Sequence, residues 1–473
     1  MNTIPPDPDP VPSPPPSAHQ RVLAAFERIA ELDRPEIWTT LRAQEDVLVD
    51  AKAVDERIRA GEELPLAGSL LAVKEGIDVA GLSTVAACPS SSYLPEMSAT
   101  AVSRLAAAGA VVLGKTDPEQ LAADPLDVAS GVAVAVSLGI VDLSLGTDLI
   151  GAGRVPAALN GVVGLKPTPG LVPATGISPS TLSCDSVVVF ARGLVEAQRA
   201  VGLMTGPDSR AWPADVRFGV GEHPRLAMPD DDWLRSLAAP ARLALGTAAA
   251  ALRSSGAVVE PCSLAAFREA GEQRVLAGYD ALLLPTLPEH PGVAAVRVPS
   301  RPGEQGPSGV TVVTRAFDDQ LGLDLAAVLT GEPPSLCSAP GADLVVFGAH
   351  LRGQPLNDRL IALGARFASP VRTVERYRMV LLPTEPPQPG VLPAGASGLD
   401  GERWRLSPAA LSRFAAELPD PFVLGRIELE DGTCPQAVLC EAVAADGAED
   451  LARYESWRGY LRFVSTAGPR DPG

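Results

Sequence analysis

Aromatic residues make up only 4% of this 473-residue chain, so its core has to rest on Ala, Val and Leu rather than on rings. Lysine is scarcer still. Lys52, Lys74, Lys115 and Lys166 are the whole supply, within a Lys and Arg total of 39, so each lysine merits separate inspection. The six cysteines, at 88, 184, 262, 337, 434 and 440, form no CxxC pair and no spacing typical of a zinc site. The expectation is therefore a reduced, cytoplasmic compartment, with no metal and no cofactor. No apolar run is long and uncharged enough to span a bilayer, and the stretch "MNTIPPDPDPVPSPPPSAHQ" has no apolar h-region, so neither a membrane span nor a secretory signal is expected. Positive charge is also in deficit: the formal net charge of −18 argues against nucleic acid or an anionic membrane as partner, because phosphate binding needs clustered Lys and Arg.

What is present is length enough for two or three domains, and an ordinary hydrophobic fraction of 46%. Residues 1–18 are Pro-rich and read as a disordered tail. Amphipathic helices are predicted in "HQRVLAAFERIAEL" and near "EDVLVDAKAVDERIRAGE", the latter ending at Gly61. From there the chain alternates: a strand in "SLLAVKEGIDVAG", a helix in "ATAVSRLAAAG", a strand in "AVVLGKTD", then a small-residue helix and a strand in "SGVAVAVSLGIVDLSLGTD". The pattern resumes with a helix capped near Gly256 and the buried strand "YDALLLPT". Such alternation predicts an α/β fold with helices covering a largely parallel sheet over residues 19–330. Between about 287 and 310, Gly and Pro break the periodicity, and 331–341 reads as a linker. Residues 342–468 change character to short strands and turns, a smaller mostly-β domain with Asp431-Gly432 as a hairpin signal.

Two stretches of the first region carry a resemblance. "LAVKEGIDVAG" resembles the lysine strand of the amidase-signature family, and "GTDLIGAGRVPAALNGVVGLKPTPGLVPATG" resembles its nucleophile loop. "VVFGAHLRGQPLNDRLIALGARF", "AVLCEAV" and "YESWRGYL" resemble the second domain of allophanate hydrolases, which has a gamma-glutamyl cyclotransferase-like fold. The order and pairing of the halves point to the allophanate hydrolases over most of residues 60–465. The resemblance implies α/β/α layers around a mixed sheet, a first domain that releases ammonia from allophanate, and a second that helps to decarboxylate the product. Members of the family cut an amide with a serine, a second serine in a cis peptide, and a neutral lysine. The chemistry explains these types, since a hydroxyl is a weak nucleophile until a base takes its proton, and a lysine is a base only where burial lowers its pKa.

Carried over residue by residue, the lysine is Lys74, the nucleophile position holds Ala152, and the cis-serine position holds Val128. An arginine expected in "SPSTLSCDSVV" is Leu182, and the loop before the serine stretch shrinks to "PEQLAADPLD". The region after "LPTLPEHPG" is also shorter than in the family. The turn Leu149-Ile150-Gly151 still offers N–H groups for an oxyanion hole, worth about 10³- to 10⁴-fold over water without a nucleophile. Lys74 is either a retained base or a lysine paired with Glu75, Asp78 or Asp148; Ser130, Ser137, Ser144 and Thr147 are the candidates for a substitute nucleophile. Arg154 and Asp148 read as braces of the turn, and Lys166 as ordering a loop at a helix end. In the second domain, the resemblance makes the loop Gly348 to Gly353 a candidate substrate cradle. It holds His350, an imidazole expected to move a proton near neutral pH, with Arg378 and Glu441 approaching the same cavity. The other reading of His350 is a hydrogen bond within its turn. The expected function is an allophanate-hydrolase-like pseudoenzyme that binds a small amide, carbamate or carboxylate, or a partner. The alternative is an active amidohydrolase working through the C-terminal domain or a substitute nucleophile. A homodimer is expected, as such relatives usually form one.

Overall fold

The structure, a computed structural model, describes residues 16–85, 92–116, 131–148, 154–178, 186–221, 223–263, 272–285, 294–299, 309–333, 336–337 and 339–466. These form two compact units, one from 16–166 and 172–209, the other from 167–171, 210–299 and 309–466.

In the first unit six strands pair in the order Trp38–Leu41, Val111–Thr116, Leu70–Lys74, Leu143–Asp148, Ser186–Ala191, Val163–Lys166. Leu70–Lys74 is parallel to both neighbours, whereas the other three pairings are antiparallel. The sheet is thus mixed rather than largely parallel. Hydrophobic runs mark where strands are but not their direction, and no helix intervenes among the described residues between Val163–Lys166 and its antiparallel partner. Every residue of Val111–Thr116 and of Ser186–Ala191 is buried, as expected of strands covered on both faces. One cover consists of the helices Ala18–Leu32, Gln44–Arg59 and Gly131–Ser137, whose Val22, Val47 and Val134 pack with Leu70, Val111 and Phe190. Ser17 starts the first of these with a reciprocal capping box to Gln20, and Gly61 leaves the second at φ 87°. Gly114 lets the edge strand approach: a Cβ there would lie 2.3 Å from the Thr40 carbonyl oxygen.

In the second unit five strands pair in the order Ala294–Pro299, Gly309–Thr314, Ala281–Pro285, Arg225–Pro229, Val258–Cys262. The helices Ala239–Ser254 and Asp319–Thr330 pack on them through Leu245, Leu252, Leu321 and Leu325. Ala294–Pro299 lies where the sequence predicts only broken periodicity. Its first five residues are buried, Arg297 among them at 0% exposure, so no alternation reveals the strand. Lys166 likewise stands at the end of the strand Val163–Lys166 in the first unit, not at a helix end, and is buried.

The second unit continues into five more strands, in the order Arg366–Arg372, Asp400–Leu406, Ala342–Val346, Gln436–Cys440, Phe422–Arg426, with Tyr377–Leu382 and Gln388–Ser397 as a separate pair. Asp431-Gly432 does turn the hairpin: Gly432 has φ 79° and the Leu429 N–H donates to the Thr433 carbonyl at 3.0 Å. Short helices, Asn357–Ala362, Pro408–Ala416 and Trp457–Thr466, complete this β-rich part. It is fastened to the preceding residues of the same unit. The Phe218 and Gly219 N–H groups both donate to the Gly364 carbonyl, at 2.8 and 3.1 Å, and Arg366 pairs with Asp324.

Candidate functional site

Lys74 ends a strand, and the neighbouring parallel strand places Ser144 opposite Ala72 and carries Thr147 to the same side. The C-terminal ends of parallel strands are where α/β sheets open a crevice for ligands. Here Lys74 Nζ donates to Thr147 Oγ1 at 2.9 Å. Among the other hydroxyls proposed as substitutes, Ser144 is buried and gives its proton to the Val132 carbonyl at 2.7 Å, and Ser137 is exposed at the end of its helix. Asp148 is fully buried at the strand end, and Arg154 begins the helix Arg154–Leu159. Val128, Ser130, Leu149, Ile150, Gly151, Ala152 and Leu182 lie outside the described residues, as do residues 1–15 of the Pro-rich tail.

Glu75 turns to a different lysine. Lys115, at 0% exposure, donates to Thr84 Oγ1 at 2.7 Å and the Ser83 carbonyl at 3.0 Å, and pairs with Glu75 Oε1 at 3.5 Å. Burial pushes the Lys115 ammonium below its ordinary range, opposed by the Glu75 charge. Nearby, the Tyr93 hydroxyl donates to Asp78 at 2.8 Å, and desolvation together with that carboxylate pushes it up to about 12. No motif marks this group; the only signal for Lys115 is that lysines are so few.

His350 sits in the turn between the strand Ala342–Val346 and the helix Asn357–Ala362. Its ring meets Phe414 edge-on at 5.1 Å, its carbonyl accepts from Asn357 Nδ2 at 2.9 Å, and its Nε2 is buried with no partner among the described residues. Burial, with the nearby Arg359 charge, holds the imidazole down to about 4. This corrects the expectation of a group titrating near neutral pH: His350 is a neutral side chain there, because its surroundings cannot solvate the cation. The cradle is also smaller than expected, since the Leu351 N–H donates to the Gly348 carbonyl at 3.0 Å and the Arg352 N–H to Glu402 at 2.9 Å. Gly348 accommodates the hairpin that carries Arg378, because a Cβ there would lie 2.4 Å from Pro389 Cδ; Gly353 has φ 71°. Arg378 Nε is buried with no partner among the described residues. Glu441 follows its strand rather than lying on it, is exposed, and donates its N–H to the Pro421 carbonyl at 3.0 Å.

Among the described residues no group of three or more His, Cys, Asp or Glu could hold a metal ion, and no helix is long and apolar enough to cross a membrane.

A paired-strand lysine facing a Gly-Thr-Asp strand end is the arrangement expected of amidases, and the family model for Amidase matches residues 20–125 and 129–282. The chain belongs to the amidase family. Residues 342–462 match the Allophanate hydrolase C-terminal domain, and that pairing aligns the chain with the allophanate hydrolases. The allophanate hydrolase of Kluyveromyces lactis superimposes with a TM-score of 0.75 at 26% identity, covering 95% of this chain and 99% of that one. The urea amidolyase of Saccharomyces cerevisiae is 26% identical over 93% of this chain, which spans only 32% of that relative's length. A glutamyl-tRNA(Gln) amidotransferase subunit of Symbiobacterium thermophilum is 34% identical over 52% of this chain and 57% of its own. The chain thus spans about a third of the length of its urea amidolyase relatives.

Proposed function

We propose that this is an allophanate-hydrolase-like protein whose amidase half no longer cuts amides through an acyl-enzyme, and that its folds are retained to bind a small amide, carbamate or carboxylate, or a partner. One observation carries the reading: Ala152 stands at the nucleophile position, and a methyl group cannot attack a carbonyl. Val128 at the cis-serine position and Leu182 at the arginine position support it. The ligand-contacting groups assigned to the first site are Lys74 and the Leu149-Ile150-Gly151 amides. In the second they are the Gly348 to Gly353 loop with His350 and Arg378, with Glu441 at its rim. A cytoplasmic homodimer, with no nucleic-acid or membrane partner, completes the reading.

The test supplies allophanate and related amides to the purified chain and to an Ala152→Ser variant while ammonia is followed. The wild type should release none above background; release at ordinary enzyme rates would refute the proposal. A second reading, an active amidohydrolase, is favoured by one contact, the Thr147 hydroxyl 2.9 Å from the Lys74 amine. On that reading Thr147→Val abolishes a wild-type activity that Thr147→Ser preserves.

A further inference from the structure

A cleft of about 480 Å³ opens in the C-terminal part of the second unit, and of the candidate cradle loop only Leu351 and Arg352 reach it. Its walls include Arg352, Arg372, Asp400, Glu402, Arg458 and Arg462. Four guanidinium groups around one opening call for a reason, even in a chain whose basic residues are almost all arginine.

Arg372 has its counter-charges: Asp400 at 2.7 Å, Glu455 at 3.3 Å and Glu430 at 3.6 Å. Arg352 and Arg458 must share one, Glu402, which is only 2% exposed. Arg458 donates to Glu402 Oε1 at 2.9 Å and to the Arg352 carbonyl at 2.8 Å; Arg352 Nε lies 3.5 Å from the same carboxylate oxygen. The second oxygen of Glu402 accepts from the Arg352 N–H at 2.9 Å and from Trp404 Nε1 at 3.3 Å. Beneath, the Arg352 guanidinium lies 3.5 Å from the centre of the Phe367 ring. A buried carboxylate with both oxygens engaged therefore fixes two guanidinium groups, each of which has five N–H donors and uses only some of them on protein. Arg462 stands four residues after Arg458 on the same helix and so on the same face. It has no acidic partner among the described residues, and its Nε donates to the Arg458 carbonyl at 3.3 Å.

The carboxylates are unevenly placed: among the described residues Arg372 takes Asp400, Glu430 and Glu455, whereas Arg352, Arg458 and Arg462 have Glu402 alone, so the spare N–H donors of the cleft lie on the side of these three. A carboxylate presents two coplanar oxygens, whereas the phosphate of a monoester presents three in a tetrahedral arrangement, one for each of three guanidinium groups, and carries up to two negative charges. We propose that this cleft binds a small phosphate monoester, its phosphate held by Arg352, Arg458 and Arg462 and its organic part in the remaining volume. The assignment is independent of whether the amidase half is active.

The full-length chain is titrated calorimetrically with inorganic phosphate, glycerol phosphate and malonate at matched ionic strength in chloride, and its thermal unfolding is followed in each. Phosphate and glycerol phosphate should bind saturably and raise Tm. Arg462→Gln should weaken both about tenfold, the loss of one charge-assisted hydrogen bond, and leave Tm in chloride unchanged, since that side chain holds no ion pair. Arg352→Lys should weaken binding without abolishing it. Absence of saturable phosphate binding, equal affinity in Arg462→Gln, or malonate binding as tightly as phosphate would each overturn the assignment.

Discussion

Lys115 is fully buried with its ammonium divided among Thr84, Ser83 and Glu75, and Glu75 Oε2 is buried without a partner among the described residues. Removing the cation leaves that carboxylate uncompensated away from water. Lys115→Met is expected to lower the unfolding free energy by about 3–5 kcal/mol in urea titrations, and Lys115→Met with Glu75→Gln by clearly less, since the second change removes the stranded charge. His350 gives a different residue-level outcome. Its folded pKa, about 4, lies below the ordinary imidazole value of about 6.5, so its contribution to stability is complete above that value and is lost as pH falls towards 4. Its ring protons should show no titration by NMR between pH 5.5 and pH 8, whereas a midpoint near 6.5 would mean the ring is solvated. Residues in motifs were legible from sequence: Lys74 by its strand, His350 by its loop. Arg352, Glu402 and Arg458 were not, because 50 and 56 residues separate the members of each contact and no local spacing records the meeting.

The helix Asp319–Thr330 begins with a carboxylate, a position where a helix N-terminus ordinarily favours the charged form. Asp319 does accept from the Thr168 N–H at 2.7 Å and its hydroxyl at 2.6 Å, yet burial outweighs both and pushes it up to about 6. A folded pKa above the unfolded value of about 3.9 means that this group contributes most at low pH and that its contribution is lost as pH rises through 6. The stability difference between wild type and Asp319→Asn should therefore shift against the wild type by about 2–3 kcal/mol from pH 4 to pH 7, and a flat difference would show the carboxylate to be solvated. At the helix Pro408–Ala416, Ser407 Oγ accepts from the Ala410 N–H at 3.2 Å, so Ser407→Ala should cost about 1 kcal/mol, read from a shifted urea midpoint. Elements were readable where their period survived. "AVVLGKTD" announced its strand by a continuous apolar run, and Gly109 and Gly256 marked helix ends, with φ 101° and 102°. Strand direction and the strand at Ala294–Pro299 were not, since pairing partners far along the chain, such as Trp38–Leu41 with Val111–Thr116 and Leu143–Asp148 with Ser186–Ala191, set the first and burial of Arg297 disguised the second.

Within the second unit, residues 210–221 join parts that the sequence divides by composition. Phe218 is 1% exposed, packs with Val216 and Ala339, and shares its N–H with Gly364. Phe218→Ala should cost about 3–5 kcal/mol and should split one calorimetric transition of this unit into two, while a single shifted transition would place Phe218 within one cooperative block. The family was legible from the sequence alone, because two motif sets occur in one order. The compact grouping of 210–299 with 342–466 was not, since backbone contacts such as that of Gly364 leave no compositional trace. The Gly364 carbonyl, receiving two amides from the 218–219 segment, means that the two recognisable halves are not interchangeable cassettes. A fragment excised at 342 would begin life with an acceptor stripped of both its donors, so any chimera or truncation meant to isolate the C-terminal part has to take residues 210–221 along as a grafted strap.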